Sequence, residues 1–339
     1  MRTAVLQPAT NLQAILLAGP TAVGKSEIAL LLAEKVGGEI ISVDSMQVYR
    51  GMDIGTAKPS AQERGRVPHH LIDVVELTEP FNAAQFMKLA REAVEQIQRR
   101  GHVPILCGGT GLYFKAFLEG LGGAPPEDAA LRAKLATVPL PELLAELAER
   151  DPELYRTIDR KNPRRVLRAI EVIRLTGKPF SQQRARSSAE CGIGTTQGTD
   201  PSGSVRSAEC GRSSAERAFG LSRSLEDLHR RIDARVEEMF RRGLVAETVE
   251  LLKRGLAENK TAMQALGYRQ VVEHLRGERC LPETIVLVKL RTRQFAKRQM
   301  TWFRRQARLE WMEVGPNETA GAIVKRLVEI ERGTGNLLT

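Results

Sequence analysis

The stretch GPTAVGKS at residues 19–26 constrains this chain more than any other part of its sequence. It matches the pattern Gly, four residues, Gly, Lys, Ser, a loop whose backbone N–H groups cradle phosphate oxygens at the start of a helix. The apolar run AILLA before it predicts a strand, and the segment EIALLLAEKVG after it predicts a helix. The loop therefore predicts an α/β protein that binds a di- or triphosphate.

Several positions of this loop have individual roles. Gly19 and Gly24 permit the backbone angles that turn successive N–H groups inward. Lys25 can reach terminal phosphate oxygens, and the Ser26 hydroxyl is placed to ligate Mg²⁺, the cofactor that we expect. The predicted diphosphate- or nucleotide-binding residues are Gly19, Pro20, Thr21, Ala22, Val23, Gly24, Lys25 and Ser26.

The hydrophobic pattern of the first 120 residues alternates between strand and helix. AILLAG, EIISVD and VPILCGG are typical of buried parallel strands. This order predicts a doubly wound parallel-sheet P-loop core with its ligand site at the carboxyl ends of the strands. From about residue 125 the pattern is helical. The predicted domains are a discontinuous core (12–122 and 160–315), a helical insertion domain (123–159), a low-complexity insertion that we expect to be disordered (181–218) and a C-terminal tail (316–339).

Composition and charge narrow the class of protein. No run approaches the ~20 consecutive apolar residues of a membrane helix, and the N-terminus lacks the apolar core of a signal peptide, so we expect a cytoplasmic protein without a membrane partner. The four cysteines show neither CxxC nor Cys/His ligand spacing, which argues against a disulfide framework and a zinc site. The formal net charge of +10 favours a polyanionic partner.

Two polar residues follow predicted strands and are expected near the loop. Asp44 ends the second strand, where its carboxylate could bind Mg²⁺ through water, act as a general base or cap a turn. Thr110 follows two glycines and begins a helix. Its hydroxyl suits contact with a substrate, and a simple helix cap is the alternative.

Two predicted helices carry positive charge on one side. On a helix that begins at Pro163, after the predicted cap Asn162, three arginines (164, 165 and 168) fall within about 100° of one another. The segment 291–308 has no acidic residue, and its basic residues fill an arc of about 160°, with Phe295 and Phe303 roughly opposite. Solvated helix faces normally mix charge signs, so both segments favour nucleic-acid phosphates.

Taken together, the motifs resemble those of the bacterial tRNA dimethylallyltransferases, the tRNA isopentenyltransferase family. The matching stretches run in the family's order from about residue 15 to 315 and are GPTAVGKS, IISVDSMQVYRGMDIGTAKP, VPHHLIDVVELTEPFNAAQF, CGGTGLYFKAFLEGL, NPRRVLRAIEV, ALGYRQ and AKRQMTWFRRQ. The family usually has a shorter connection where this chain has residues 181–218, so no function is carried over onto that insertion.

The resemblance implies transfer of a dimethylallyl group from dimethylallyl diphosphate to N6 of the adenosine 3′-adjacent to the anticodon, position 37, of tRNAs reading codons that begin with U. The loop would then hold a diphosphate and hydrolyse no nucleotide. The resemblance implies that Asp44 accepts the N6 proton, while Lys25, Thr21, Mg²⁺ and the loop amides stabilise the departing diphosphate.

The implied partners are the tRNA anticodon stem-loop and dimethylallyl diphosphate, and the family resemblance implies a monomer. The implied tRNA contacts are Asp44, Ser45, Met46, Gln47, Thr110, Arg132, Arg164, Arg165, Val166, Leu167, Arg168, Gln264, Ala265, Leu266, Gly267, Tyr268, Arg269, Lys297, Arg298, Gln299, Met300, Thr301, Trp302, Phe303 and Arg304.

Two other classes of protein share part of this pattern. A small-molecule or nucleotide kinase has the same loop and core, but it does not explain the basic segments or the order of the motifs. A nucleotide-switched RNA-binding protein explains the loop and the charge, but it gives Asp44 no proton to accept.

Overall fold

The computed structural model of this chain describes residues 14–121, 124–183 and 216–333. These residues form two units. The smaller comprises the described residues of 119–183, and the larger comprises 14–118 and 216–333.

The larger unit is built on a parallel β-sheet. Its strands are β1 (Ala14–Ala18), β2 (Gly38–Val43), β3 (His69–His70), β4 (Val103–Gly108), β5 (Glu216–Ser222) and β6 (Glu310–Glu313). They lie in the order β3-β2-β4-β1-β5-β6, and every neighbouring pair is parallel. The predicted doubly wound parallel sheet is confirmed, and the three strands predicted from apolar runs are β1, β2 and β4.

The strand β5 corrects one predicted boundary. Residues 216–218 were predicted to end the low-complexity insertion 181–218, yet they begin a strand that pairs with β1 on one side and β6 on the other. The apolar run in this strand is short, and only its place between two other strands makes it part of the sheet interior. Residues 184–215 of the predicted insertion lie outside the described residues.

Helices lie on both faces of the sheet because successive strand side chains point to opposite sides. Ile15 and Leu17 of β1 pack in one apolar core with the helix Lys25–Val36, whereas Leu16 packs in the other core with the helix Ala83–Arg99. None of the helices in the described ranges combines the length and apolar character required to cross a bilayer. The described residues contain, in order, the helices α1 (Lys25–Val36), α2 (Ala61–Arg66), α3 (Ala83–Arg99), α4 (Gly111–Glu119), α5 (Ala129–Ala136), α6 (Leu140–Arg150), α7 (Pro152–Thr157), α8 (Pro163–Thr176), α9 (Leu225–Arg241), α10 (Leu244–Lys253), α11 (Tyr268–Leu275), α12 (Leu281–Gln306) and α13 (Ala320–Gly333).

The smaller unit contains α5, α6, α7 and α8 around an apolar core of its own. Leu143 and Leu147 of α6 pack in this core with Val166 and Ile170 of α8. The predicted boundary at residue 160 is therefore corrected, because α8 belongs to the helical unit and not to the P-loop core. The start of α8 is as predicted, since the Asn162 side chain caps its first turn.

The segment predicted as a C-terminal tail also belongs to the larger unit. Ile323, Val324 and Leu327 of α13 are buried in the same apolar core as Ile28 and Leu32 of α1. Residues 316–333 are therefore part of the core, and residues 334–339 of the predicted tail lie outside the described residues.

Candidate active site

The loop at residues 19–26 connects β1 to α1 at the carboxyl end of the sheet. Gly19 and Gly24 have φ values of 151° and 107°, angles that favour glycine. A Cβ on Gly19 would lie 2.7 Å from the carbonyl oxygen of Leu221, so β5 approaches the loop too closely for a side chain. Ala22 has a φ of 65°, a strained angle for alanine and a feature of sites where the backbone itself binds a ligand.

Two arginines hold the carbonyl groups of this loop. The Arg231 Nε donates to the Ala22 carbonyl oxygen at 2.9 Å, and the Arg223 Nε donates to that of Val23 at 2.8 Å. Arg223 is itself fixed by a buried ion pair with Asp227 at 2.8 Å. These contacts span 209 and 200 residues of sequence, and no local pattern signals them. They anchor the loop from the side of β5 and α9.

Lys25 lies half-buried against the loop that contains it. Its Nζ donates to the carbonyl oxygens of Gly19 at 2.9 Å and Pro20 at 2.7 Å. Burial lowers the pKa of Lys25 to about 8; Arg235 contributes to this decrease, whereas Cys107 and Asp44 oppose it. Arg235, on α9, is therefore a second cation of this site, which the sequence did not reveal. Burial also lowers the pKa of Arg235, and Asp44 opposes that change.

Asp44 directly follows β2, as predicted, and its two carboxylate oxygens differ in their surroundings. Oδ1 accepts the backbone N–H groups of Met46 at 2.8 Å and Gln47 at 3.3 Å. Oδ2 accepts no hydrogen bond from any residue that the structure describes. One oxygen therefore caps a turn while the other remains able to accept a proton, so the cap and the base are compatible roles.

Thr110 ties the ends of two strands together. Its Oγ1 accepts the Ser45 backbone N–H at 3.1 Å, and its own N–H donates to the Val43 carbonyl oxygen at 3.2 Å. The Thr110 side chain therefore holds the segment after β2 in place beside Asp44. Within the described residues, no backbone N–H of α4 donates a hydrogen bond to this hydroxyl, as a helix cap would require.

Thr21 connects the phosphate loop to the basic helix α12. Its N–H donates to Oε1 of Gln299 at 2.8 Å, and Nε2 of Gln299 donates to the Gly109 carbonyl oxygen at 2.9 Å. Gln299 is buried with Phe303 on the inner side of α12. The spacing of Ala296, Gln299 and Phe303 is that of one helix face, a signal that could have separated Gln299 from its exposed basic neighbours.

Residues 297–304 of α12, the segment predicted to bind tRNA, include both buried and exposed side chains. Gln299 and Phe303 are buried, and Met300 and Trp302 are half-buried. Phe295, expected opposite the basic stripe, is instead 37% exposed, and Arg298 lies over its ring at 5.8 Å. The exposed candidates of this segment are Lys297, Arg298, Thr301 and Arg304.

Two other candidate segments of the larger unit are partly buried. The Gln47 side chain turns inward, since its Oε1 accepts from Ser42 Oγ at 2.8 Å. The Tyr268 hydroxyl is also internal and donates to Glu247 at 2.6 Å. Among residues 264–269, Ala265, Gly267 and Tyr268 are buried, Leu266 is half-buried, and Gln264 and Arg269 are exposed.

The smaller unit contains the remaining candidates. Arg132 and Arg168 both bind the buried carboxylate of Glu171, at 3.0 and 2.6 Å. Arg164 and Arg165 are exposed on α8, whereas Val166 is buried and Leu167 is half-buried. Among the arginine candidates of this unit, Arg164 and Arg165 are therefore the exposed ones.

Comparisons with known proteins identify relatives of the whole chain. Residues 47–306 match the family model described as IPP transferase. A tRNA dimethylallyltransferase of Pelotomaculum thermopropionicum is 40% identical over 94% of this chain and 96% of its own length. The tRNA dimethylallyltransferase 1 of Trichlorobacter lovleyi is 43% identical over 89% of this chain and 94% of its own length.

Solved structures give the same result. The full-length tRNA isopentenylpyrophosphate transferase of Bacillus halodurans is 34% identical, with a TM-score of 0.66 over 96% of this chain and 97% of that one. A eukaryotic dimethylallyltransferase acting on tRNA is 25% identical, with a TM-score of 0.73 over 95% of this chain and 80% of that one. The resemblance noted from the motifs is confirmed.

Proposed function

The chain belongs to the IPP transferase family, and from this premise we propose that it transfers a dimethylallyl group from dimethylallyl diphosphate to tRNA. The observation that carries the proposal is the arrangement at the carboxyl end of the sheet. The loop with Lys25 follows β1 and Asp44 follows β2 at the same edge of the parallel sheet, and Lys25 interacts electrostatically with both Asp44 and Arg235. The same loop is hydrogen-bonded to α12, whose outer side is basic.

The reaction that this arrangement supports is a displacement at the allylic carbon. The adenine N6 forms a bond to C1 of the dimethylallyl group as the bond from C1 to the diphosphate oxygen breaks. The free carboxylate oxygen of Asp44 accepts the N6 proton. The loop N–H groups, with Thr21, Lys25 and Arg235, stabilise the charge on the departing diphosphate. Dimethylallyl diphosphate fits this chemistry because an allylic carbon stabilises developing positive charge.

A divalent metal fits the oxygen donors at this edge of the sheet. No group of three or more His, Cys, Asp or Glu side chains within residues 14–121, 124–183 and 216–333 forms a metal cage. Mg²⁺ does not need one, because it binds few protein oxygens together with phosphate oxygens and water. The exposed Ser26 hydroxyl at the start of α1 would hold the ion. When bound, Mg²⁺ would neutralise charge on the diphosphate.

The acceptor that we propose is N6 of the adenosine at position 37, in tRNAs that read codons beginning with U. The basic residues exposed on α12, Lys297, Arg298 and Arg304, would bind phosphates of the anticodon stem-loop. The target base must leave its stack to reach Asp44, as bases do in other base-modifying enzymes. We propose that the protein acts as a monomer in the cytoplasm, where its tRNA substrates are.

The test is label transfer. The protein is incubated with tRNA and dimethylallyl diphosphate labelled in the dimethylallyl group, and the tRNA nucleosides are then analysed. We expect label in N6-(dimethylallyl)adenosine, and none when position 37 is guanosine. Isopentenyl diphosphate should not be a donor, since its C1 is not allylic.

Parallel reactions with labelled ATP separate the other two classes of protein. Phosphate transfer from ATP to a small molecule, without dimethylallyl transfer, would identify a kinase. Nucleotide-dependent RNA affinity without any covalent transfer would identify a switched RNA-binding protein. Either result would refute the proposed activity.

A further inference from the structure

Gln299 makes two contacts that the proposed chemistry does not require. It lies on α12 with 8% of its surface exposed, and its amide joins two strand ends. Its Oε1 accepts the Thr21 N–H at 2.8 Å, and its Nε2 donates to the Gly109 carbonyl oxygen at 2.9 Å. Each half of the amide therefore has a backbone partner, one in the phosphate loop and one after β4.

The position leaves little room for another arrangement. A Cβ on Gly109 would lie 2.3 Å from Nε2 of Gln299, so a side chain at this position would displace the amide. The neighbours of Gln299 in sequence, Lys297 and Arg298, are exposed. One turn of α12 thus presents cations outward and an amide inward to the loop.

We propose that Gln299 is a positioning residue that couples tRNA binding on α12 to diphosphate binding in the loop. This inference rests on the proposed function. A tRNA bound to Lys297 and Arg298 fixes α12, and Gln299 then fixes Thr21 and the loop amides that follow it. Binding of one ligand thereby orders residues that the other ligand would otherwise have to order. The tRNA therefore raises the affinity for the diphosphate, and the diphosphate raises the affinity for tRNA.

The coupling factor is the measurable quantity. It is the ratio of the dissociation constants of one ligand without and with the other, and linkage makes it equal in both directions. Dimethylallyl S-thiolodiphosphate serves as the donor probe, because its carbon–sulfur bond resists displacement and both ligands can be present at equilibrium. For the wild type we expect a factor within the usual range of about 5 to 150.

Gln299→Met tests the link while retaining side-chain volume. It removes both hydrogen bonds, so the coupling factor should fall towards one. The coupling factor compares affinities with and without the second ligand in the same variant, so a change in the affinity for tRNA alone cancels from it. Gln294→Met is the matched control, because Gln294 is exposed on the same helix and its amide oxygen accepts a hydrogen bond from Arg291, its sole partner within the described ranges. It should keep the wild-type factor.

Gly109→Ala tests the same link from the other side. Its methyl group should displace the Gln299 amide and lower the coupling factor without any change to α12, and this variant decides the matter if Gln299→Met does not fold. A wild-type factor in a folded Gln299→Met or Gly109→Ala protein would overturn this inference alone. Failure of the wild type to bind the donor probe would overturn the proposed function as well.

Discussion

The lowered pKa of Lys25 makes diphosphate affinity depend on pH in a window where an ordinary lysine would not titrate. Burial, with the help of Arg235, brings this pKa to about 8. Below pH 8 the ammonium is charged and attracts the diphosphate, and above pH 8 that charge is lost. If binding of the diphosphate returns the pKa of Lys25 to 10 or above, the affinity should fall about 20- to 25-fold between pH 7.5 and pH 9.5.

The assay is equilibrium binding of dimethylallyl S-thiolodiphosphate across this range, without tRNA. Lys25→Ala should bind more weakly at pH 7.5 and lose the dependence on pH, because the titrating group is gone. Lys297→Ala is the control, since Lys297 is an exposed lysine of α12 outside the loop, and it should keep the full dependence. The same slope in wild type and Lys25→Ala, or a flat wild-type curve, would show that Lys25 does not titrate against the diphosphate.

Other predictions concern the base, the basic helix and the sheet. Asp44→Asn should lower turnover by ~10²-fold or more with little change in tRNA affinity, and near wild-type turnover at saturating substrates would exclude a general base. Lys297→Ala combined with Arg298→Ala should weaken tRNA binding and reduce the slope of log affinity against log salt by about 1.4 to 1.8. An unaltered slope would show that these two residues do not contact tRNA phosphates. At the start of β2, burial raises the pKa of Glu39, but hydrogen bonds from Arg100 and two histidines lower it overall to about 2. The ionised carboxylate should therefore add roughly 3 kcal/mol to the free energy of unfolding above about pH 4.5, and this contribution should be lost as the pH falls towards 2. Glu39→Gln should abolish that part of the pH dependence of the free energy of unfolding, measured by urea titration.

The smaller unit shows where a local pattern stops being informative. Periodicity and the Asn162-Pro163 start predicted helix α8 correctly, because capping and amphipathicity are properties of neighbouring residues. The pattern could not say against which core the apolar side packs. Val166 and Ile170 are equally suited to a sheet or to other helices, and their contacts with Leu143 and Leu147 settle the question.

The sequence by itself determined the glycine-rich loop between β1 and α1, the strands β1, β2 and β4, and the placement of Asp44 at the same edge of the sheet. Glycine spacing and apolar runs act within a few residues, and parallel strands bring their carboxyl ends to one edge of the sheet. Only the tertiary structure decided which distant side chains complete the site. Arg235 of α9 interacts electrostatically with Lys25, and Gln299 of α12 is hydrogen-bonded to Thr21. Strand order and helix packing bring these residues together, and no sequence spacing connects them.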